Sequence, residues 1–335
     1  MKLSKKHKNA VKHNFRWFFI NGGPAPVVKI KICFSTVSLG GASVINKENK
    51  LRLAVLSDVH GNLPALEAVL DDLACRGIDR IIFAGDFIGG PQPVETFHRL
   101  SSLEAIMITG NSDTNLIKLR TGQAPKEWHD SLQFALLRWA DKHIDNITFD
   151  LIQSLPQQRC VRFERTSSIR VVHGSARNQY EEIFPDRDPE ILHIALSQID
   201  DPVFVCGHTH IPWKVELDGR LAFNPGAVCG PLNGQVCAQY AILSLEKDDW
   251  RVEHRTVEYD LNLIRSAFHE SGLLHEGGAL ARSFLRSIET GKNVAEWFLH
   301  YAYRMAKEAG FGDLKVVPDE IWERADEAFD WEVEV

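Results

Sequence analysis

The chain has 335 residues, 44% hydrophobic and 25% charged, a composition suited to a folded globular protein with a full core. A net charge of -7 and a pI near 6.1 give no electrostatic reason to expect a nucleic-acid surface. No apolar run is long enough to span a bilayer, and the six cysteines form no CxxC pair, so reduced thiols and a cytoplasmic setting are expected.

Lys2, Lys5, Lys6, Lys8, Lys12 and Arg16 make the first stretch basic, with no acidic residue before Glu48. Its Trp17-Phe18-Phe19-Ile20 run is too short for a secretory core. Residues 1–50 are expected to be a disordered extension, or translated sequence upstream of the true start, in preference to a targeting peptide or nucleic-acid arm. The folded domain is expected to begin near Leu51. Leu51 to Ser57 reads as a buried strand, and Asn62 as the cap of a helix presenting Leu66, Val69, Leu70 and Leu73 on one face. Strands follow over Arg80 to Ala84 and Glu104 to Thr109, then helices over Asp113 to Thr121 and Ser131 to His143. Arg159 to Phe163 and Ser168 to Val172 read as strands, Pro189 to Gln198 as a helix, and Val203 to Cys206 as a strand. Two hairpins complete the domain: Trp213 to Leu217 with Arg220 to Phe223, and Gln239 to Leu245 with Trp250 to Val257. From Tyr259 onward the pattern is helical, with breaks at Gly272, Gly277-Gly278, Gly291 and Gly310 to Gly312. Alternating strands and helices followed by hairpins indicate an α/β protein with a mixed sheet system.

Five polar clusters follow the apolar strands: Asp58-Val59-His60-Gly61-Asn62, Gly85-Asp86, Gly110-Asn111-Ser112-Asp113, His173-Gly174 and Gly207-His208-Thr209-His210. They offer two strand-end carboxylates, four imidazoles and an amide, a donor set without thiolates that suits divalent metals rather than a closed cysteine zinc site. Asp58 and His60 are two apart, so in an extended segment both side chains face one ion. Each cluster alone is common as a turn, a cap or a buried histidine. The specific signal is all five, in order, at strand ends.

The set DVHGN, GDFIGG, GNSD, VVHGS and CGHTH, with Pro212 and the turn Asn224-Pro225-Gly226-Ala227, resembles the calcineurin-like metallophosphoesterase superfamily, especially its small bacterial phosphodiesterase-type members. The likeness covers Leu51 to Tyr259 and implies a four-layer α/β/β/α sandwich, with residues 260–335 as a C-terminal helical extension packed on it. It implies that Asp58, His60 and His210 hold one metal, that Asn111, His173 and His208 hold a second, and that Asp86 bridges both. Mn²⁺ is the first choice, with Fe, Zn²⁺, Co²⁺ and Ni²⁺ also suited. Hydrolysis of a small phosphate ester by a metal-bridging hydroxide is then the expected reaction. Asn111, Asp113 and His208 are the candidate catalytic residues, Asp113 either orienting a ligand or capping its helix. Backbone amides at Gly61-Asn62 and at the helix start after Asn111 are expected to meet phosphate oxygens.

Departures from the family pattern sharpen the reading. Ser112 stands where many superfamily phosphomonoesterases carry a histidine near the leaving group, which favours phosphodiesters over unactivated monoesters. Ala227, Cys229 and Leu232 replace the usual serine, glycine and basic residue, leaving Arg177, with Asn62, as the candidate substrate contacts. Phosphomonoesterase or nucleotide-polyphosphate hydrolase is the alternative activity. A non-catalytic interaction scaffold on the same fold is the alternative of another class, disfavoured because all seven ligand positions are filled.

Overall fold

The computed structural model describes residues 28–29, 51–247, 249–312 and 315–332. The expectation for residues 1–50 therefore lies outside the described residues, apart from β1 (Val28–Lys29), which pairs in parallel with β5. In chain order the first half comprises β2 (Arg52–Leu56), α1 (Leu63–Ala74), β3 (Arg80–Phe83), α2 (Pro93–Ser102), β4 (Ile106–Met107) and α3 (Asn111–Arg120). It continues with α4 (Glu127–Asp130), α5 (Ala135–His143), α6 (Asn146–Ser154), β5 (Arg159–Arg162), β6 (Ile169–Val171), α7 (Pro189–Ser197) and β7 (Val203–Val205). The hairpins are β8 (Trp213–Leu217) with β9 (Arg220–Asn224) and β10 (Ala238–Glu246) with β11 (Asp249–Val257). Five helices follow: α8 (Leu261–Glu270), α9 (Leu273–Glu276), α10 (Gly278–Thr290), α11 (Val294–Glu308) and α12 (Asp319–Ala328).

Two mixed sheets result, one ordered β11-β10-β2-β3-β4 and the other β1-β5-β6-β7-β9-β8. The period-two alternation of side chains explains how they stack. In β2, Leu53 and Val55 enter a core shared with Val171, Val205 and Phe223 of the other sheet. Ala54 and Leu56 face the opposite way, into a core with Leu66, Phe97, Trp139, Phe268 and Leu285 of the helices. On the far side of the second sheet, Phe204 and Ala222 meet Leu192, Ala195 and Leu196 of α7. The layers are thus helices, sheet, sheet and helix, the α/β/β/α sandwich that the sequence implies. The last helices carry their own aromatic core, in which Phe298 is fully buried against Trp322, Phe329 and Trp331.

Strands β2, β3 and β4 run parallel to one another, as do β6 and β7, so five loops leave from the carboxyl ends of strands. Backbone bonds knit these loops together. Asp58 N donates to Gly85 O at 3.0 Å, His60 N to Asp86 O at 3.1 Å and Gly207 N to His173 O at 2.7 Å.

Candidate metal centre

The two sheets bring their polar loops to one place. Asp58, His60 and His210 form one group of converging ligand atoms, and Asp58, Asp86 and His173 form another. All five are buried, Asp58 and His173 completely.

Their backbone is unusual. Asp58, His60, Asp86, His208 and His210 all adopt positive φ, between 39° and 70°. The left-handed region costs a non-glycine residue about 1–3 kcal/mol, and such strain collects at functional sites. The extended Asp58–His60 segment expected from the two-residue spacing is therefore replaced by a left-handed turn. It is tight because Gly61 lies against Gly90, where any Cβ would come within 2.9 Å of the backbone. Gly207 is equally confined, since a Cβ there would stand 2.0 Å from Ser57 Oγ.

The histidine rings are oriented by carbonyls, which can only accept hydrogen bonds. His60 Nδ1 donates to Ile88 O at 2.6 Å, His173 Nδ1 to Ala84 O at 2.7 Å and His210 Nδ1 to Gly230 O at 2.9 Å. When neutral, each ring presents an Nε2 lone pair inward. His60 Nε2 and His210 Nε2 are 3.1 Å apart, and His173 Nε2 is 2.9 Å from Asn111 Oδ1. Asp58 Oδ1 lies 3.4 Å from His210 Nε2, and Asp86 Oδ2 lies 3.4 Å from His173 Nε2 and 3.6 Å from His60 Nε2. Bonds of ~2.1 Å at tetrahedral or octahedral angles place two ligands of one ion ~3.0–3.4 Å apart, so this spacing fits divalent cations. Asp58 Oδ1 is buried without a hydrogen-bond partner, while Oδ2 accepts from His208 N at 3.1 Å. An unpartnered buried carboxylate oxygen among acceptor lone pairs calls for positive charge.

Without a cation, protons on His173 and His210 supply that positive charge. Burial raises the Asp58 carboxyl, but His210 and His173 outweigh it and hold it down to about 2. Burial likewise opposes ionisation of Asp86, which His173 and His60 hold well below the usual carboxylate range. The two carboxylates in turn lift His173 to about 10 against its burial. Burial and then His173 lower His208 to about 4, keeping it neutral. Its ring packs at 5.2 Å from that of His173.

Groups expected to meet substrate are engaged within the protein. Asn62 caps α1 as expected, its Oδ1 accepting from Ala65 N at 3.0 Å, and its Nδ2, read as a substrate contact, donates to Tyr259 OH at 3.1 Å. The Gly61 and Asn62 amides, expected to meet phosphate, donate instead to Phe87 O and Val59 O, at 2.8 and 2.9 Å. Arg177 is exposed and its guanidinium pairs with Glu181 one turn along the same loop, so its charge is already engaged. At the start of α3, Ser112 N donates to Asp86 Oδ1 at 3.0 Å, so that amide too is engaged within the protein.

Asp113 is completely buried and both its oxygens are taken by backbone amides. Oδ2 accepts from Asp86 N and Gly110 N, Oδ1 from Phe87 N and Ile88 N. It both caps α3 and clamps the Asp86 loop against the Gly110 turn. Burial and the charge of Asp86 push its carboxyl up to about 7, opposed by the Gly110 and Phe87 amides. With four donors converging on it, the ionised form is the one that satisfies the site.

Asn224, in the turn the family resemblance singles out, holds the His208–His210 loop: its Nδ2 donates to Gly207 O at 2.6 Å and Thr209 Oγ1 at 3.1 Å. Cys206 and Cys229 adjoin the centre, but burial raises both thiols, Cys229 to about 12, so neither is a thiolate at neutral pH.

An α/β/β/α sandwich whose strand-end loops gather buried carboxylates and inward imidazoles defines a metallophosphoesterase fold. Residues 51–248 match the calcineurin-like phosphoesterase superfamily domain, well over half of the chain, and the chain belongs to that superfamily. It is similar to the uncharacterized protein MJ0912 of Methanocaldococcus jannaschii, at 30% identity over 63% of this chain and 89% of that protein. Phosphodiesterase MJ0936 of the same organism is 25% identical, over 60% of this chain and 97% of the relative. A solved metallophosphoesterase from Sphaerobacter thermophilus superposes with a TM-score of 0.58 at 29% identity, covering 72% of this chain and 99% of that one. This chain is accordingly a metal-dependent phosphoester hydrolase.

Proposed function

We propose that the enzyme hydrolyses phosphodiesters at a dinuclear centre. Asp58, His60 and His210 would hold one divalent cation, and Asn111, His173 and His208 the second, with Asp86 available to both. The observation that carries this reading is the convergence of Asp58, His60, Asp86, His173 and His210, with Asp58 Oδ1 left unpartnered; Asn111 adjoins it through His173, and His208 is added on the family pattern. Mn²⁺ is the first choice for these mixed oxygen and nitrogen donors, and Fe, Zn²⁺, Co²⁺ or Ni²⁺ fit the same set. When bound, such cations supply Lewis-acid charge for phosphate oxygens and acidify a water near neutral pH.

The chain's own residues do the rest. Carbonyls of Ala84, Ile88 and Gly230 fix the ring orientations, and Asp113 and Asn224 hold the loops. Asn111, Ser112 and His208 keep partial exposure and form the side on which an ester arrives. Ser112 supports a diester: its hydroxyl has no protein partner and is far too weak an acid to match an imidazolium as proton donor. A diester needs that help less when its leaving group is good. Free thiols at Cys75, Cys160, Cys206, Cys229 and Cys237 support a cytoplasmic setting as part of the same reading.

The test is turnover of bis(p-nitrophenyl) phosphate against p-nitrophenyl phosphate by the Mn²⁺-loaded chain. The diester is expected to be preferred by roughly tenfold or more in kcat/KM. A clear preference for the monoester contradicts the proposal.

A further inference from the structure

One face of α10, a helix outside the matched residues 51–248, lies on the metal centre. Phe284 and Ile288 share that face at four-residue spacing, and Gly291 follows just past the helix end. The Phe284 ring stands edge-on to the His60 ring, with centroids 5.3 Å apart and planes 80° to each other. Ile288 lies against Gly230, where a Cβ would be 3.4 Å from its Cγ1. Gly291 O accepts from Gly234 N at 2.9 Å. Gly230 is the residue whose carbonyl orients His210. Helix α10 therefore packs on His60 directly and on the Gly230 turn that orients His210.

Coverage is unequal around the centre. His60 and His210 are buried, whereas Asn111, Ser112 and His208 are partly exposed. Phe284 itself is partly exposed, although it packs against the helix-side core and lies 6.3 Å from the Phe268 ring. It is thus an apolar ring at the border between the candidate centre and solvent. Packing against the core on its inner side restricts its motion.

We propose that Phe284 is a specificity-determining wall of the site, which limits the ester substituent lying on the His60 side and favours diesters with one small group there. The proposal rests on the phosphodiesterase reading above. A fixed aromatic wall discriminates by steric exclusion, and removal of such a ring admits a substituent of about its own volume.

Two diesters that share a leaving group, methyl p-nitrophenyl phosphate and bis(p-nitrophenyl) phosphate, separate the wall from the chemistry. With the Mn²⁺-loaded full chain, the ratio of kcat/KM for the bulky over the small diester is expected to rise roughly tenfold in Phe284→Ala. Phe284→Leu, which keeps more of the core contact, is expected to fall between. Calorimetric Mn²⁺ affinity should stay within about threefold of the parent, because the His60 ring is held by its hydrogen bond to Ile88 O and Phe284 donates none. A ratio unchanged within about twofold in an active enzyme overturns the wall and leaves the phosphodiesterase reading standing. Loss of both activities together with Mn²⁺ affinity also overturns it, because Phe284 then only positions His60. A parent chain inactive on both diesters removes the phosphodiesterase reading, and the wall with it.

Discussion

Replacing Asp113 by asparagine exchanges one carboxylate oxygen for an NH₂ group of nearly the same size. In the native chain Oδ2 accepts from Asp86 N at 3.0 Å and Gly110 N at 2.8 Å, and Oδ1 accepts from Phe87 N at 2.9 Å and Ile88 N at 3.3 Å. The amide oxygen of asparagine can keep one of these pairs. Its NH₂ then confronts two backbone donors in a fully buried position. Hydrogen bonds to a charged acceptor contribute about 1.5–3 kcal/mol each, so losing two destabilises the fold by about 3–6 kcal/mol. The long Ile88 contact makes the lower half of that range the expected result if the oxygen keeps the Asp86–Gly110 pair. Urea unfolding of the metal-free Asp113→Asn chain measures it directly. Because Asp86 is held by the same carboxylate, Mn²⁺ affinity should fall as well, by roughly tenfold to a hundredfold. A stability loss under about 1 kcal/mol with unchanged Mn²⁺ affinity would refute the clamp.

Two other outcomes follow from the same geometry. Arg177→Ala should change kcat/KM by no more than about threefold, because the guanidinium is engaged by Glu181; a loss of tenfold or more would return Arg177 to the substrate. Asp72, held down to about 2 by its bonds from Arg76 and, against the effect of burial, from the Tyr240 hydroxyl, ties α1 to β10. Its folded pKa lies below the ordinary carboxylate value, so its contribution is complete above about pH 4 and is lost as pH falls towards 2. The gap in urea midpoint between the parent and Asp72→Asn should therefore narrow between pH 5 and pH 2. A gap independent of pH contradicts the linkage.

Much of the fold was legible because its signals are local. Buried strands ending in polar clusters marked β2, β3, β6 and β7, and glycines marked the breaks between the C-terminal helices. Helix α6 was missed although Asp145 announces it, capping through Thr148 N at 2.9 Å. Helix α2 gave less warning: it follows Pro91 and Gln92, with no side-chain cap. At the site, the clusters were legible as residue types, while their backbone was not. The two-residue spacing of Asp58 and His60 suggests a strand, and only the close approach of Gly61 to Gly90 imposes the left-handed turn. Asn62 and Arg177 were read towards substrate, but each has a nearer partner. For Arg177 the signal was present, since Glu181 is four residues on. Phe284 carried no signal, being one apolar residue on an amphipathic helix whose neighbour in space is set by the packing of α10.

The central claim is that this one cluster of side chains holds two cations. Metal content after Mn²⁺ loading and exhaustive dialysis tests it most directly, read together with the electron paramagnetic resonance spectrum of the bound ions. The account predicts two Mn²⁺ per chain with a spin-coupled spectrum in the parent, and loss of that coupling in Asp86→Ala, which removes the shared carboxylate. One isolated Mn²⁺ per chain, or none, would contradict it.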